Sequence, residues 1–246
     1  MGSEQNSIFL EQHYRIRSYE VDPAKRLKLF HLVNFMQDAA WINAAQMGVS
    51  VDQLMSAGMT WILSRMKLDI IRMPLYNENI RVLTWPSGYE RYFAFRDFRV
   101  MDEAGVLIAR ATTTWLVLDL NSRKLVLPSQ FADLLKINGS IEAMPAASGR
   151  IKLPDPVENS YLVEILDKDM DQNEHTNNAY YLQWMMERVA AGKETLRQID
   201  VLFKMESRAG DVIRVDSGSG GEGTILHSIA REGSEELLVQ AVSVWE

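Results

Sequence analysis

The 246-residue chain contains no cysteine. That excludes disulfides, a thiolate nucleophile, and zinc or iron–sulfur sites built on sulfur, and it suits a reducing compartment. Histidine is scarce too: His13, His31, His175 and His227 sit in unrelated segments, so no metal-ligand set is expected. No apolar run reaches the roughly 18 residues of a membrane-spanning helix. The start, MGSEQNSIFLEQHY, has no basic segment followed by a long apolar run, so secretion is not signalled and a cytoplasmic protein is expected. Positive charge is short as well: 26 Lys and Arg against 33 Asp and Glu leave a net charge of -7, with no basic tract. Nothing obvious would neutralise a phosphate backbone, and neither nucleic acid nor membrane is an expected partner.

What is present is a globular composition, 47% hydrophobic and 24% charged. Such a chain buries roughly 70–75% of its extended surface. After a strand candidate near FLEQHYRIRSYEV and a proline at Pro23, apolar residues Leu29, Val33, Met36, Ala40, Ala44 and Met47 recur at three or four positions. That is a helix period, with Gly48 as its stop. Ser50 and Gln53 are spaced as a capping box for a second, short helix that Gly58 curtails. Alternating segments follow: TWILSRMKLDII, NIRVLTWPS, YFAFRDFRVMD and VLIARATTTWLVLDL, with a hairpin turn at Asp102–Gly105. Their β-branched and aromatic content suits a curved antiparallel sheet, whose apolar face the long helix would cover.

A connector with one short helix, Ser129 to Leu135, precedes a return of the same plan. Strand VENSYLVEILDKD, helix NAYYLQWMMERVAAG and strands LRQIDVLFKM, VIRVDSG, TILHSIARE and ELLVQAVSVWE repeat the first half. LDIIRMPLYNENIRV parallels IDVLFKMESRAGDVIRV, and ATTTW parallels AVSVW, at an offset of roughly 130 residues. Two copies of one unit packed as an internal pseudo-dimer are expected. Whether two such chains form a homodimer is open.

The stretch DMDQNEHTNNAY, Asp169 to Tyr180, concentrates polar groups between these elements. An extended backbone would place Asp167, Asp169, Asp171, Asn173 and His175 on one side. A calcium loop is excluded, since its sixth position would be Gln172 or Glu174 rather than glycine and its twelfth Asn178 or Tyr180 rather than glutamate. Thr176 or Asn177 suits a helix N-cap, with Tyr181, Trp184, Met185 and Val189 as the buried stripe beyond it. Capping leaves Asp171, Asn173 and His175 unexplained. Elsewhere, SGSGGEG at Ser217–Gly223 lacks the Lys-Ser/Thr of a phosphate loop and is expected to be a flexible hairpin. Ser207 has no nucleophile elbow around it.

With these segments in view, the sequence resembles the acyl-acyl carrier protein thioesterases of bacteria and plants. TWILSRM, Pro74, TWPSG, RDF at Arg96–Phe98, ARATTTWLVLDLNSRK and Pro128 carry the likeness in the first half, DMDQNEHTNNAYYLQW and FKMESRAGD in the second. The resemblance implies an α+β tandem hot-dog fold, two curved antiparallel sheets each wrapped around a long helix. It implies an N-terminal hot-dog domain with the acyl-chain pocket at residues 1–128, a connector at 129–152, and a catalytic C-terminal hot-dog domain at 153–246. The implied reaction is hydrolysis of a fatty acyl thioester on the phosphopantetheine arm of acyl carrier protein, without cofactor or metal. The family's functional residues fall on Asp171, Asn173, His175 and Glu206. Plant members carry cysteine where this chain has Ser207, so the mechanism centres on activated water. For such chemistry Glu206 can accept a proton, His175 share it, Asn173 orient water or donate to the reacting centre, and Asp171 hold its neighbours.

Phe35, Met36, Trp41, Met47, Met59, Trp61 and Met66 are the candidate chain-lining residues. An acidic carrier would need a local positive patch, for which Arg65, Lys67, Arg72, Arg188, Lys193, Arg197 and Lys204 are candidates. Acyl-coenzyme A as substrate, a hot-dog hydratase or dehydratase, and a non-catalytic acyl binder are the alternatives.

Overall fold

The helical period that begins at Leu29 becomes α1, Leu29–Gln46, whose buried face recurs at three and four residues: Leu29, Leu32, Val33, Met36, Ala39, Ala40 and Asn43. Gly48 closes it at φ +77, a left-handed geometry that a Cβ resists, with its N–H on the Ala45 carbonyl. The expected capping box is made: Ser50 Oγ accepts from Gln53 N–H and starts α2, Val51–Ser56. The computed structural model describes residues 9–135, 137, 141–189, 195–234 and 236–246.

Before these helices runs β1, Leu10–Arg15, and after them β2 (Met59–Ile70), β3 (Asn79–Glu90), β4 (Phe93–Asp102) and β5 (Leu107–Asp119). The second half repeats the series as β7 (Asn159–Glu164), α4 (Asn178–Glu187), β8 (Leu196–Phe203), β9 (Val212–Gly221), β10 (Thr224–Arg231) and β11 (Leu237–Trp245). α4 is shorter than the expected NAYYLQWMMERVAAG helix: Arg188 and Val189 lie beyond its end, and the remainder of that stretch, from residue 190, lies outside the described residues. The short strand β6, Leu125–Val126, pairs with β5, and α3, Ala132–Leu135, prolongs a 3-10 turn at Pro128–Phe131. The single connector helix expected from Ser129 to Leu135 is thus two shorter pieces.

Strand order is β1-β3-β4-β5-β2 in one half and β7-β9-β10-β11-β8 in the other, and β2 pairs antiparallel with β8. The two hot-dog sheets are therefore hydrogen-bonded into one, with Met66 opposite Val201 and Lys67 opposite Asp200 at the seam. This is the tandem hot-dog. The helices meet on the inner face, where a continuous core joins Leu32, Met36 and Met66 of the first half to Leu182, Met185 and Ile199 of the second. Each such side chain contributes about 1.5–3 kcal/mol by leaving water.

The connector crosses the outer face. Arg65 grips Asp200 through two 2.8 Å bonds and also donates to the carbonyls of Ser148 at 3.1 Å and Gly149 at 2.9 Å. This buried pair removes Arg65 from the basic patch expected to meet a partner. The glycine run forms the expected hairpin between β9 and β10, but its turn is shorter than expected. β9 continues through Gly221, and Gly218 lies so close to the Pro156 carbonyl that a Cβ would not fit. Those residues are strand, with a turn only at Glu222 and Gly223.

Candidate active site

The segment from Asp167 is not extended. Residues Asp167–Asp169 form a 3-10 turn in which buried Asp169 accepts the Leu166 N–H at 3.0 Å. A bridge between Met170 and Thr176 then pinches the intervening residues into a tight loop. Asp171 organises that loop: its Oδ1 accepts from the N–H of Asn173 at 2.8 Å and of His175 at 3.3 Å. Glu174 sits at φ +60 to complete the turn. The five polar side chains consequently do not share one face. Local side-chain-to-backbone bonds outcompete the strand geometry that alternation alone suggests.

Asn177 is the helix cap, its Oδ1 accepting from Ala179 N–H at 2.9 Å. It also donates to Asn34 at 3.1 Å and accepts from Gln37 at 3.2 Å, pinning the start of α4 to α1. Thr176 has a different task. Its N–H and Oγ both donate to the Ser207 carbonyl, at 3.1 and 3.0 Å, and its Oγ lies 2.9 Å from Ser207 Oγ. Tyr181 OH reaches the same Ser207 Oγ at 2.6 Å. Burial pushes the Tyr181 phenol up, so it stays a neutral hydrogen-bonding partner.

This buried knot holds the Lys204–Asp211 connection beside the loop and brings His175 Nε2 within 3.1 Å of Glu206 Oε2. His175 is 31% exposed at its side chain and Glu206 54%, so both groups reach solvent. The four residues singled out in the sequence, Asp171, Asn173, His175 and Glu206, line one cavity of about 1010 Å³. That cavity continues into the first half, where Met36, Trp41, Trp61 and Met66 line it as expected. Phe35 does not: its ring stacks on Tyr14 at 4.4 Å. Met47 packs with Val49 and Leu135, and Met59 is not among the lining residues. Several polar contributors were not singled out as site residues in the sequence, Gln37 and Arg96 among them. Gln37 lies within the helix, and Arg96 stood only as part of the RDF motif that carries the family resemblance.

Residues 8–132 match a family model for the acyl-ACP thioesterase N-terminal domain, and residues 154–246 match that for its C-terminal domain. The chain belongs to the acyl-ACP thioesterase family. It is 24% identical to oleoyl-acyl carrier protein thioesterase 2 of Arabidopsis thaliana, over 82% of this chain but 61% of that protein. It is 23% identical to the dodecanoyl-[acyl-carrier-protein] hydrolase of Cinnamomum camphora, over 98% of this chain and 68% of that one. Against the palmitoyl-acyl carrier protein thioesterase of Gossypium hirsutum the chain spans 48% of the relative's length. Among solved structures, an acyl-ACP thioesterase from Bacteroides thetaiotaomicron superposes with a TM-score of 0.85 at 24% identity over 100% of both chains. The 12:0-ACP thioesterase from Umbellularia californica also gives 0.85, at 20% identity over 98% of each chain.

In this acyl-ACP thioesterase family member the first half carries a second copy of the site's backbone without its chemistry. A 3-10 turn at Ser18–Glu20, a bridge between Val21 and Leu27, and Lys25 at φ +64 reproduce the loop of Asp167 to Thr176. Leu27 N–H meets the Pro74 carbonyl as Thr176 N–H meets that of Ser207. Glu78 accepts from Leu75 N–H as Asp211 does from Arg208 N–H. In that frame Asp22 stands for Asp171, Ala24 for Asn173, Arg26 for His175 and Met73 for Glu206. Only the second copy holds an imidazole beside a carboxylate.

Proposed function

We propose that the chain hydrolyses the thioester of a fatty acyl chain carried by acyl carrier protein, releasing fatty acid and free carrier. The observation that carries this reading is the His175–Glu206 contact at 3.1 Å on the wall of a cavity that extends into the first half. A water there attacks the thioester carbonyl carbon, and its proton passes to the Glu206–His175 pair. Asn173 and the N-terminal end of α4, both on the cavity, favour the negative charge that develops on the carbonyl oxygen. The C–S bond then breaks and the leaving thiolate of the phosphopantetheine arm takes up a proton. Asp171 acts through the loop backbone as a positioning residue.

Support for a carrier partner comes from the rim. Lys204 and Arg208 are exposed and border the cavity beside Glu206, offering local positive charge in a protein of net charge -7. Of the other basic candidates, Arg72 is paired with Glu78 and Asp102 and Arg197 with Glu246, while Lys193 lies outside the described residues. The test is free-thiol release from matched acyl-carrier and acyl-coenzyme A thioesters. Higher kcat/KM for the carrier forms, falling in Lys204→Glu, is expected. Equal or better turnover of the coenzyme A forms would move the assignment to acyl-CoA hydrolysis. Hydration of enoyl thioesters without thiol release would move it to a hydratase.

A further inference from the structure

Arg96 projects from β4 into the cavity wall and is 9% exposed. Its Nη1 donates to Asn43 Oδ1 at 2.8 Å and to Thr84 Oγ at 3.1 Å, both neutral groups. Among the described residues it has no carboxylate partner, and both of its side-chain hydrogen bonds are made by Nη1. The neighbouring Asp97 is turned to the other face of the sheet, where it accepts the Met144 N–H at 2.7 Å. Burial pushes the guanidinium down to about 10, which leaves it charged at neutral pH. Beside it the Asn43 Nδ2 is buried and unmatched. The same cavity wall carries the apolar side chains of Met36, Phe98 and Trp61.

A cation in such surroundings is costly when its donors are left unmatched, and a plain hydrocarbon chain can match none of them. An oxygen on the chain can. We propose that Arg96 forms a polar subsite within the acyl slot that takes an acceptor oxygen on the acyl chain itself, as a hydroxyl, a keto group or a terminal carboxylate. The guanidinium fork presents its remaining N–H groups to that oxygen, while Asn43 and Thr84 hold the side chain in place. Substrate class is then read inside the slot as well as at the thioester. The inference rests on the thioesterase reading for its substrate but not for its ligand.

The experiment compares acyl thioesters of one chain length on the intact protein. One is unsubstituted, and the others bear a hydroxyl or keto group at successive carbons or a carboxylate at the end. At least one oxygen-bearing chain is expected to exceed the unsubstituted one by roughly ten- to a hundred-fold in kcat/KM, as a charged hydrogen bond implies. In Arg96→Met that ratio falls to about one, whatever happens to the absolute rates. The same ratio is expected in calorimetric affinities of the corresponding free acids, a measurement that needs no turnover. The subsite is overturned if no oxygen-bearing chain is preferred in either measurement, or if the preference survives Arg96→Met. Thiol release from the unsubstituted chain would then leave the hydrolase reading standing. Absent thiol release with a retained preference among the free acids would do the reverse.

Discussion

Asp22 and Asp171 occupy the same place in the two halves, and each accepts the backbone N–H of the residue four positions on, Arg26 at 2.9 Å and His175 at 3.3 Å. One turn is thus used twice, and only the second displays an imidazole. Asp22→Ala is expected to lower stability by about 1–2 kcal/mol, the loss of a turn carboxylate's hydrogen bonds, with kcat/KM nearly unchanged. Asp171→Ala is expected to cost a similar amount of stability and also at least tenfold in kcat, with Asp171→Asn recovering part of it. Urea midpoints and thiol-release kinetics on both pairs check this, and equal kinetic effects in the two halves would remove the positioning role of Asp171.

The His175–Glu206 contact implies that the two groups act as a unit. Glu206→Gln and His175→Asn are each expected to lower kcat about 10²–10⁴-fold. The double variant is expected to be little worse than the worse single one. Full additivity in the double-variant cycle would mean that the groups serve separate steps.

Ser207 is fully buried and bonded to Thr176 and Tyr181. Replacing it by alanine removes the Oγ partner of Tyr181, while Thr176 keeps its bond to the residue 207 carbonyl, so Ser207→Ala is expected to cost about 1–3 kcal/mol. Turnover by the folded fraction should persist, read as residual kcat after active-site titration or at a temperature well below the melting point. Complete loss of kcat in folded protein would make Ser207 a nucleophile instead.

His227 is buried with Nε2 2.8 Å from Ser243 Oγ and Nδ1 unmatched, and burial lowers its pKa from 6.5 to about 4. The unfolded chain therefore binds a proton that the folded chain refuses between those values. Its contribution is fully present above pH 6.5 and is lost as the pH falls to about 4, by about 3 kcal/mol. The drop in stability between pH 7 and pH 4 should be smaller by that amount in His227→Gln, which keeps a partner for Ser243. Carboxylate titration is common to both proteins and cancels. Parallel curves would refute the assignment.

Across the seam, Arg65 and Asp200 are 10% and 13% exposed at their side chains. Arg65→Met is expected to destabilise the protein by about 3–5 kcal/mol, because Asp200 remains buried without its counter-charge. Arg65→Met combined with Asp200→Leu should recover much of that loss in denaturant titrations. A cost below 1 kcal/mol for the single change would place the pair in effective contact with water.

Much of this architecture was legible in one dimension. The α1 period from Leu29, the Ser50–Gln53 capping box and the doubled strand series are local or repetitive signals, so short-range sterics and apolar spacing suffice to read them. The identities of the four site residues came through resemblance to a known family. The turn around Asp171 was not legible as a turn, because alternating polar residues suggest a strand unless the carboxylate is known to bond its own backbone. Gly218 likewise hid a close approach by Pro156, a contact between segments far apart in the chain.

By itself the sequence determined two copies of a helix-covered antiparallel unit, the absence of cysteine chemistry, and a polar loop ahead of the second helix. Tertiary structure decided which groups face each other. His175 meets Glu206 only because Thr176 and Tyr181 clamp Ser207 from another segment. Arg96 lies on the cavity wall without a carboxylate partner among the described residues, because Asp97 turns to the opposite face of the strand. Pairings of this kind depend on chain closure and on burial that removes water as the alternative partner, and neither is encoded in the spacing of residues along the chain.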